Sequence, residues 1–207
     1  MANVKMKEVF LGPIGNNNPV LIQVLGICSA LAVSSQLKPA LVMGISVIVV
    51  LAFANVIISL LRNTIPNRIR IIVQLVVVAT LVTIVNEVLK AFAYDVSKQL
   101  SVYVGLIITN CILMGRLEAF ALNNKPWPSF VDGVANGAGY AMVLVIIAFF
   151  RELFGAGKIF GFTIIPNVFY EAGYQNFGLM NMAPMALIIL ACIVWIQRAR
   201  NAKLQED

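Results

Sequence analysis

Residues Leu106–Arg116 have the sequence LIITNCILMGR, an apolar run with a thiol near its middle and a guanidinium at its end. The run is short, because a helix that crosses a bilayer needs about 20 residues. A second short run, Leu25–Val33 (LGICSALAV), carries Cys28 among small and aliphatic residues, as the first carries Cys111. The match predicts an internal repeat whose two thiols meet near the middle of a membrane.

The composition is that of a membrane protein. Of the 207 residues, 60% are hydrophobic and only 12% are charged, whereas soluble domains have about 25% charged residues. The formal charge of +6 therefore indicates membrane topology and contacts with lipid headgroups, not nucleic-acid binding. The polar first residues are followed by no apolar core with a small-residue cleavage site, so a cleaved signal peptide is not expected.

Six apolar segments are predicted to be helices. They are Val20–Val33, Ala40–Leu61, Ile71–Leu89, Leu100–Gly115, Val131–Phe150 and Gly178–Ile196. The first and the fourth are too short for a full crossing, which predicts half-helices or broken helices. The predicted fold is therefore an all-α integral membrane protein with a single membrane domain over residues 1–207.

The six segments form two groups of three, repeat 1 at about residues 19–90 and repeat 2 at about residues 100–197. Three segments in each half place the second half upside down relative to the first, which is an inverted-topology repeat. With both termini in the cytoplasm, ten of the fifteen Lys and Arg residues lie on the inner side and five on the outer side. The positive-inside rule therefore predicts a multi-pass protein with cytoplasmic termini.

Three features of the second half carry further predictions. The rigid link Pro126–Pro128 places Trp127 where it can lie at the level of the headgroups. Gly133 and Gly137 have the spacing that lets another helix approach closely. The apolar stretch Ile159–Phe169 is too short to span a membrane, and we expect it to lie in the interface.

The cysteines allow two interpretations. The chain has no histidine, so any metal chemistry falls to thiolates or carboxylates. A cysteine in an apolar helix often packs as a small hydrophobic residue, and this suits Cys192, which has no partner in the other repeat. For Cys28 and Cys111, the matched positions on two short segments favour a metal-ligand role as much as a packing role. Since iron–sulfur centres take four cysteines, the other two would come from a second copy or a related subunit.

Polar residues beside Cys111 also have alternative interpretations. Arg116 is best interpreted as a topological anchor, although it could orient the following loop or pair with Glu118. Asn110 and Thr109 could donate hydrogen bonds to cluster sulfur. They could equally satisfy backbone groups freed by a helix break.

The acidic residues nearest the predicted segments are Glu87, Asp95 and Asp132. They are the natural candidates for a sodium path. All three lie near predicted segment ends, so an interfacial role is favoured for each. Arg151 and Glu152, which are adjacent in sequence, are expected to form a local ion pair.

Three motifs also carry a family resemblance. Leu25–Val33, Ile69–Gln74 and above all Ile107–Phe120 resemble the D subunits of the bacterial sodium-translocating NADH:quinone oxidoreductases. The likeness covers essentially the whole chain, and a sister protein in the related Rnf complex, its E subunit, shares the last motif. The resemblance implies a membrane subunit, outside the catalytic core, of a six-subunit NADH:ubiquinone reductase in the bacterial inner membrane. The subunit would carry electrons across the membrane during quinone reduction coupled to sodium export.

The resemblance further implies a paralogous partner of opposite topology, the E subunit of the same complex. Two cysteines from each of the two proteins would enclose an intramembrane iron centre, taken to be [2Fe–2S]. Cys28 and Cys111 match the two positions on this side and are the expected metal ligands. NADH, flavins and quinone would be bound by other subunits, since no nucleotide-binding glycine motif opens a βαβ unit here.

Three alternatives stay open on the sequence. The chain could be the equivalent subunit of a ferredoxin:NAD Rnf complex. It could be a secondary transporter or channel whose broken helices form an ion site at the membrane midplane. It could also be a scaffold whose small-residue faces hold partners together. A transporter would work without iron, and a scaffold would tolerate loss of both thiols.

Overall fold

The computed structural model describes residues 12–13, 18–66, 68–92, 105–156, 158–159, 162–163 and 182–200. Most of these residues are helical. The helices are α1 (Ile27–Val33), α2 (Leu37–Leu61), α3 (Arg70–Phe92), α4 (Cys111–Arg116), α5 (Pro126–Ala156) and α6 (Ala183–Arg200). One helical turn at residues 105–108 precedes α4, and a π-helical turn, Leu117–Ala121, continues it. A two-residue antiparallel pair follows α5, with β1 at Lys158–Ile159 and β2 at Phe162–Thr163.

Three of these helices confirm the predicted long segments. The stretches Leu37–Leu61, Arg70–Ala91 and Pro126–Gly155 are long and apolar enough to cross a membrane. The prediction was wrong at the start of α5, because Pro126–Pro128 is not a rigid link but the first helical turn. Proline is tolerated there because the first N–H groups of a helix have no partner within the helix.

The two cysteine-bearing segments are broken, as their lengths predict. In the first, residues 20–26 form turns and only the seven residues of α1 are helical. In the second, the helical turn at residues 105–108 stops at Thr109 and Asn110, and α4 begins at Cys111. Each cysteine therefore lies at the start of a short helix that follows irregular backbone.

The core of the molecule is the antiparallel packing of α2 against α5. A methyl group added at Gly133 would lie 2.8 Å from the Ala52 Cα, and one added at Gly137 would lie 2.9 Å from the Ile48 Cα. These distances leave room only for glycine, so the backbones approach as the Gly133 and Gly137 spacing predicts. The helix that approaches is α2 of the same chain.

Helix α3 packs loosely beside this core. Its buried side chains are few, and an apolar groove of 460 Å³ separates it from α2, lined by residues such as Val49, Phe53 and Ile84. Near its start, Arg70 forms an ion pair with Glu118 at 2.5 Å, and the Gln74 amide donates to the same carboxylate at 3.1 Å. The Glu118 carboxylate in the π turn after α4 therefore holds the start of α3 against the rest of the molecule.

Several predictions lie outside the described residues. They concern Asp95 in the link after α3, most of the predicted interfacial stretch Ile159–Phe169, and the first residues of the sixth segment, where α6 is described from Ala183 onward.

Candidate metal centre

The structure brings Cys28 and Cys111 together. Cys28 is the second residue of α1 and Cys111 the first residue of α4. The two thiols lie near each other, within range of electrostatic interaction, although 83 residues separate them in the sequence. The irregular backbone before each helix is what allows two helix starts to meet at one place.

Both thiols are free and exposed on the surface of the isolated chain. Within the part of the chain that the structure describes, no third cysteine or carboxylate joins them, so Cys192 on α6 stands apart. A tetrahedral iron–sulfur site takes four thiolates. The pair therefore fits one half of such a site, with its open side directed away from the body of this chain.

A buried polar network lies directly behind the two thiols. The Asn110 Nδ2 donates to the Ser29 Oγ at 3.1 Å, and the Ser29 and Tyr140 hydroxyl oxygens are 2.7 Å apart. The Ser29 hydroxyl donates its single proton to the Gly26 carbonyl at 2.9 Å, so the Tyr140 hydroxyl is the donor to Ser29. Ser29, Asn110 and Tyr140 are all fully buried.

Asn110 is also the N-cap residue of α4. Its side-chain oxygen accepts from the Ile112 backbone N–H at 3.3 Å, as preferred N-cap residues do. Thr109 donates to the Gly105 carbonyl at 3.1 Å. Of the two interpretations left open by the sequence, satisfying the backbone at the helix break is the one that these contacts describe.

Gly26 closes the network from the α1 side. Its φ of +82° lies in the left-handed region that favours glycine. A methyl group at this position would lie 3.0 Å from the Tyr140 ring and 3.3 Å from the Asn110 Oδ1. The backbone that leads into Cys28 therefore lies directly against Tyr140.

The C-terminal end of α4 is fixed by a buried ion pair. Arg116 donates from Nε to the Asp132 Oδ2 at 3.1 Å and from Nη2 to Oδ1, and Asp132 is only 2% exposed. Asn136 donates to the same carboxylate at 2.9 Å, and the Arg116 guanidinium lies 5.5 Å from the centre of the Phe120 ring. The alternative in which Arg116 pairs with Glu118 is wrong, because Glu118 faces Arg70 on α3.

The other acidic and basic residues predicted from the sequence are distributed as follows. Glu87 is exposed and pairs with Lys90 at 2.7 Å. Arg151, near the end of α5, donates to the Leu31 carbonyl at 3.3 Å and to the Ser34 Oγ at 2.6 Å, both at the end of α1. Glu152 accepts from the Leu37 backbone N–H at the start of α2. These two residues thus hold the junction between α1 and α2.

Sequence reasoning missed Tyr140. It lies 29 residues after Cys111, inside an apolar helix, and no motif connects it to either cysteine. The only signal is a single phenol flanked by Gly139 and Ala141, small neighbours that let other chain segments approach it.

The sequence matches known membrane proteins over most of its length. The family model described as "Rnf-Nqr subunit, membrane protein" matches residues 6–194. The chain is 54% identical over 199 residues to the D subunit of the Na(+)-translocating NADH-quinone reductase of Photobacterium profundum, covering 96% of this chain and 95% of that protein. It is 51% identical over 209 residues to the protein of the same name from Proteus mirabilis, with all of both chains covered.

Proposed function

The chain belongs to the Rnf-Nqr family of membrane subunits, and we propose that, with a paralogous subunit, it holds an intramembrane iron–sulfur centre. It functions as a membrane subunit of a Na⁺-translocating NADH:quinone reductase, as its relatives are named. The complex is an oxidoreductase that also moves ions. NADH, flavins and quinone are bound by its other subunits.

The observation that carries the proposal is the pair of exposed, adjacent thiols at Cys28 and Cys111. Two thiolates satisfy half of a four-thiolate site. The described part of the chain provides no third ligand beside them, which supports a shared site whose remaining two cysteines come from the paralogue of opposite topology. The exposure of both thiols leaves them accessible to that partner.

When bound, a [2Fe–2S] group supplies one-electron transfer. The residues of this chain would bind the group and determine the polarity around it. Cys28 and Cys111 are the metal ligands, and the buried polar groups behind them keep the two helix starts together. An apolar environment excludes water and disfavours bare thiolates, which favours their binding to a metal.

The inverted repeat has support in the packing of α2 and α5. A shift of 89 residues takes Gly44 to Gly133 and Ala52 to Ala141. The contact of Gly44 with Ala141 then becomes the contact of Gly133 with Ala52, and both are present. Such an exchange of contacts is expected when two antiparallel helices are related by a two-fold axis in the membrane plane. We therefore propose six membrane segments in two inverted three-helix repeats.

The topology has a direct test. With cytoplasmic termini, a bacterial alkaline phosphatase joined after Asp207 should be inactive, and one joined after Lys98 should be active, since the enzyme works only outside the cytoplasm. A green fluorescent protein at the same two positions should give the opposite pattern and serves as the control. Active phosphatase after Asp207 would contradict cytoplasmic termini.

The metal site is tested by removing its ligands one at a time. Cys28→Ala and Cys111→Ala, in the assembled complex, should each abolish the iron bound between the membrane subunits and stop quinone reduction. Cys192→Ala is the matched control, because Cys192 is also an exposed free thiol but stands apart from the pair. It should keep both iron and activity.

Iron analysis and electron paramagnetic resonance of the purified complex make this measurement. Retained iron and unchanged quinone reduction in both single variants would overturn the proposal. That result would favour a transporter, which needs no iron, if ion uptake also survived in liposomes.

A further inference from the structure

We infer that Ser29, Asn110 and Tyr140 form a positioning network that sets the separation and orientation of the Cys28 and Cys111 thiols. The inference rests on the proposed function, since it assigns these residues a role toward the same half-site. Ser29 follows Cys28 directly, Asn110 precedes Cys111 directly, and their side chains join at 3.1 Å. A hydrogen bond between these immediate neighbours fixes the two cysteine backbones relative to each other.

Tyr140 makes this link rigid. It belongs to α5, which is packed along its length against α2, and its hydroxyl lies 2.7 Å from the Ser29 Oγ. Its ring lies against Gly26 in the turn that leads into Cys28. The positions of the two thiols are therefore fixed relative to α2 and α5, the most firmly packed helices of the molecule, and not only relative to the two short helices.

The network is fully satisfied. Ser29 donates to the Gly26 carbonyl and accepts from both other members, while Asn110 also caps α4. Buried polar groups are costly unless they are hydrogen-bonded, and satisfied buried networks specify a unique geometry. The three side chains therefore make directed contacts that apolar side chains could not make.

The Ser29 backbone connects the network to the sulfur itself. Ser29 follows Cys28 directly in the chain, and hydrogen bonds from nearby N–H groups to cluster sulfur help to set the reduction potential of an iron–sulfur centre. Such a donor stabilises the more negative, reduced form. A shift of Ser29 therefore changes both the spacing of the ligands and the potential of the centre that they hold.

The test uses the assembled complex with Ser29→Ala, Ser29→Thr and Tyr140→Phe. Ser29→Ala removes the hydroxyl that joins Asn110, Tyr140 and the Gly26 carbonyl. It should weaken iron retention against a chelator about tenfold or more, because losing a residue that orients a metal ligand usually lowers metal affinity by that factor. Its reduction potential should fall. Tyr140→Phe should cause a smaller change in the same direction, and Ser29→Thr, which keeps the hydroxyl, should restore most of the wild-type behaviour.

A second readout needs no bound iron. After chelation, a short bifunctional thiol reagent links Cys28 to Cys111, and mass spectrometry of the linked peptides gives the yield. Ser29→Ala should lower this yield several-fold. Ser46→Ala is the matched control, because Ser46 is also buried but its hydroxyl only donates to the Val42 carbonyl of its own helix, and it should leave yield and potential unchanged.

The outcomes separate the two claims. Unchanged potential, iron retention and cross-linking in both Ser29→Ala and Tyr140→Phe would overturn the positioning role while leaving the metal site intact. Complexes in which the cysteine variants keep their iron would overturn the proposed function, and the cross-linking yield would still decide whether the network positions the thiols.

Discussion

Arg116→Met should lower the free energy of unfolding by about 3 to 5 kcal/mol, because it leaves a buried carboxylate without its counter-ion. Asp132 is 2% exposed and receives two hydrogen bonds from Arg116. Asn136 stays in place but carries no charge, so it cannot replace the guanidinium. Denaturation of the detergent-solubilised complex, followed by loss of helical circular dichroism, measures the difference.

The chain supplies a matched control for this substitution. Arg70 forms an arginine–carboxylate pair with Glu118, but the side chains of that pair are 41% and 38% exposed. Arg70→Met should therefore cost about 1 kcal/mol or less, as exposed ion pairs do. The double variant Arg116→Met with Asp132→Leu should recover most of the lost stability, because an apolar pair removes the unpaired charge. Equal losses in the two arginine variants would contradict the argument.

The long helices could be predicted from the sequence because the residues within each segment are enough to determine that it forms a helix. In α2, an uninterrupted apolar run longer than the bilayer thickness predicts one spanning helix wherever it packs. The breaks beside Cys28 and Cys111 were also predictable, since a short apolar run between glycine and polar residues cannot complete a crossing. The proximity of the two short segments was predicted from their equivalent places in the two predicted repeats.

The contacts that complete the site could not be predicted in this way. Arg116 has a carboxylate two residues away at Glu118, yet it pairs with Asp132, because the π turn after α4 directs Glu118 toward α3. Tyr140 meets Ser29 across 111 residues of sequence. Both contacts depend on the register of α5 against the short helices α1 and α4, and a single sequence contains no signal for that register.

The position of α5 at its crossing with α2 depends on Gly133. A methyl group at this position would lie 2.8 Å from the Ala52 Cα and 3.0 Å from the Leu51 carbonyl oxygen, both of which are backbone atoms. Backbone atoms cannot turn aside as a flexible side chain can, so the helices must separate. Gly133→Ala should therefore cost about 3 kcal/mol of stability, at the upper end of the usual range for overpacking.

Separation of α2 and α5 should also change the positions of the Cys28 and Cys111 thiols. The separation would lengthen the hydrogen bond that the Asn55 Nδ2 donates to the Ser129 carbonyl, which is now 3.0 Å long. It would also move Tyr140 relative to Ser29. The matched control is Gly105→Ala, since a methyl group there would meet no atom of the described residues within 4 Å. Thermal denaturation should show Gly133→Ala unfolding well below the wild type and Gly105→Ala at or slightly above it, as alanine is the better helix residue. If Gly133→Ala instead unfolded with the wild type, α2 and α5 could not be in backbone contact, and the two-fold exchange of contacts between Gly44–Ala141 and Gly133–Ala52 would lose its physical basis.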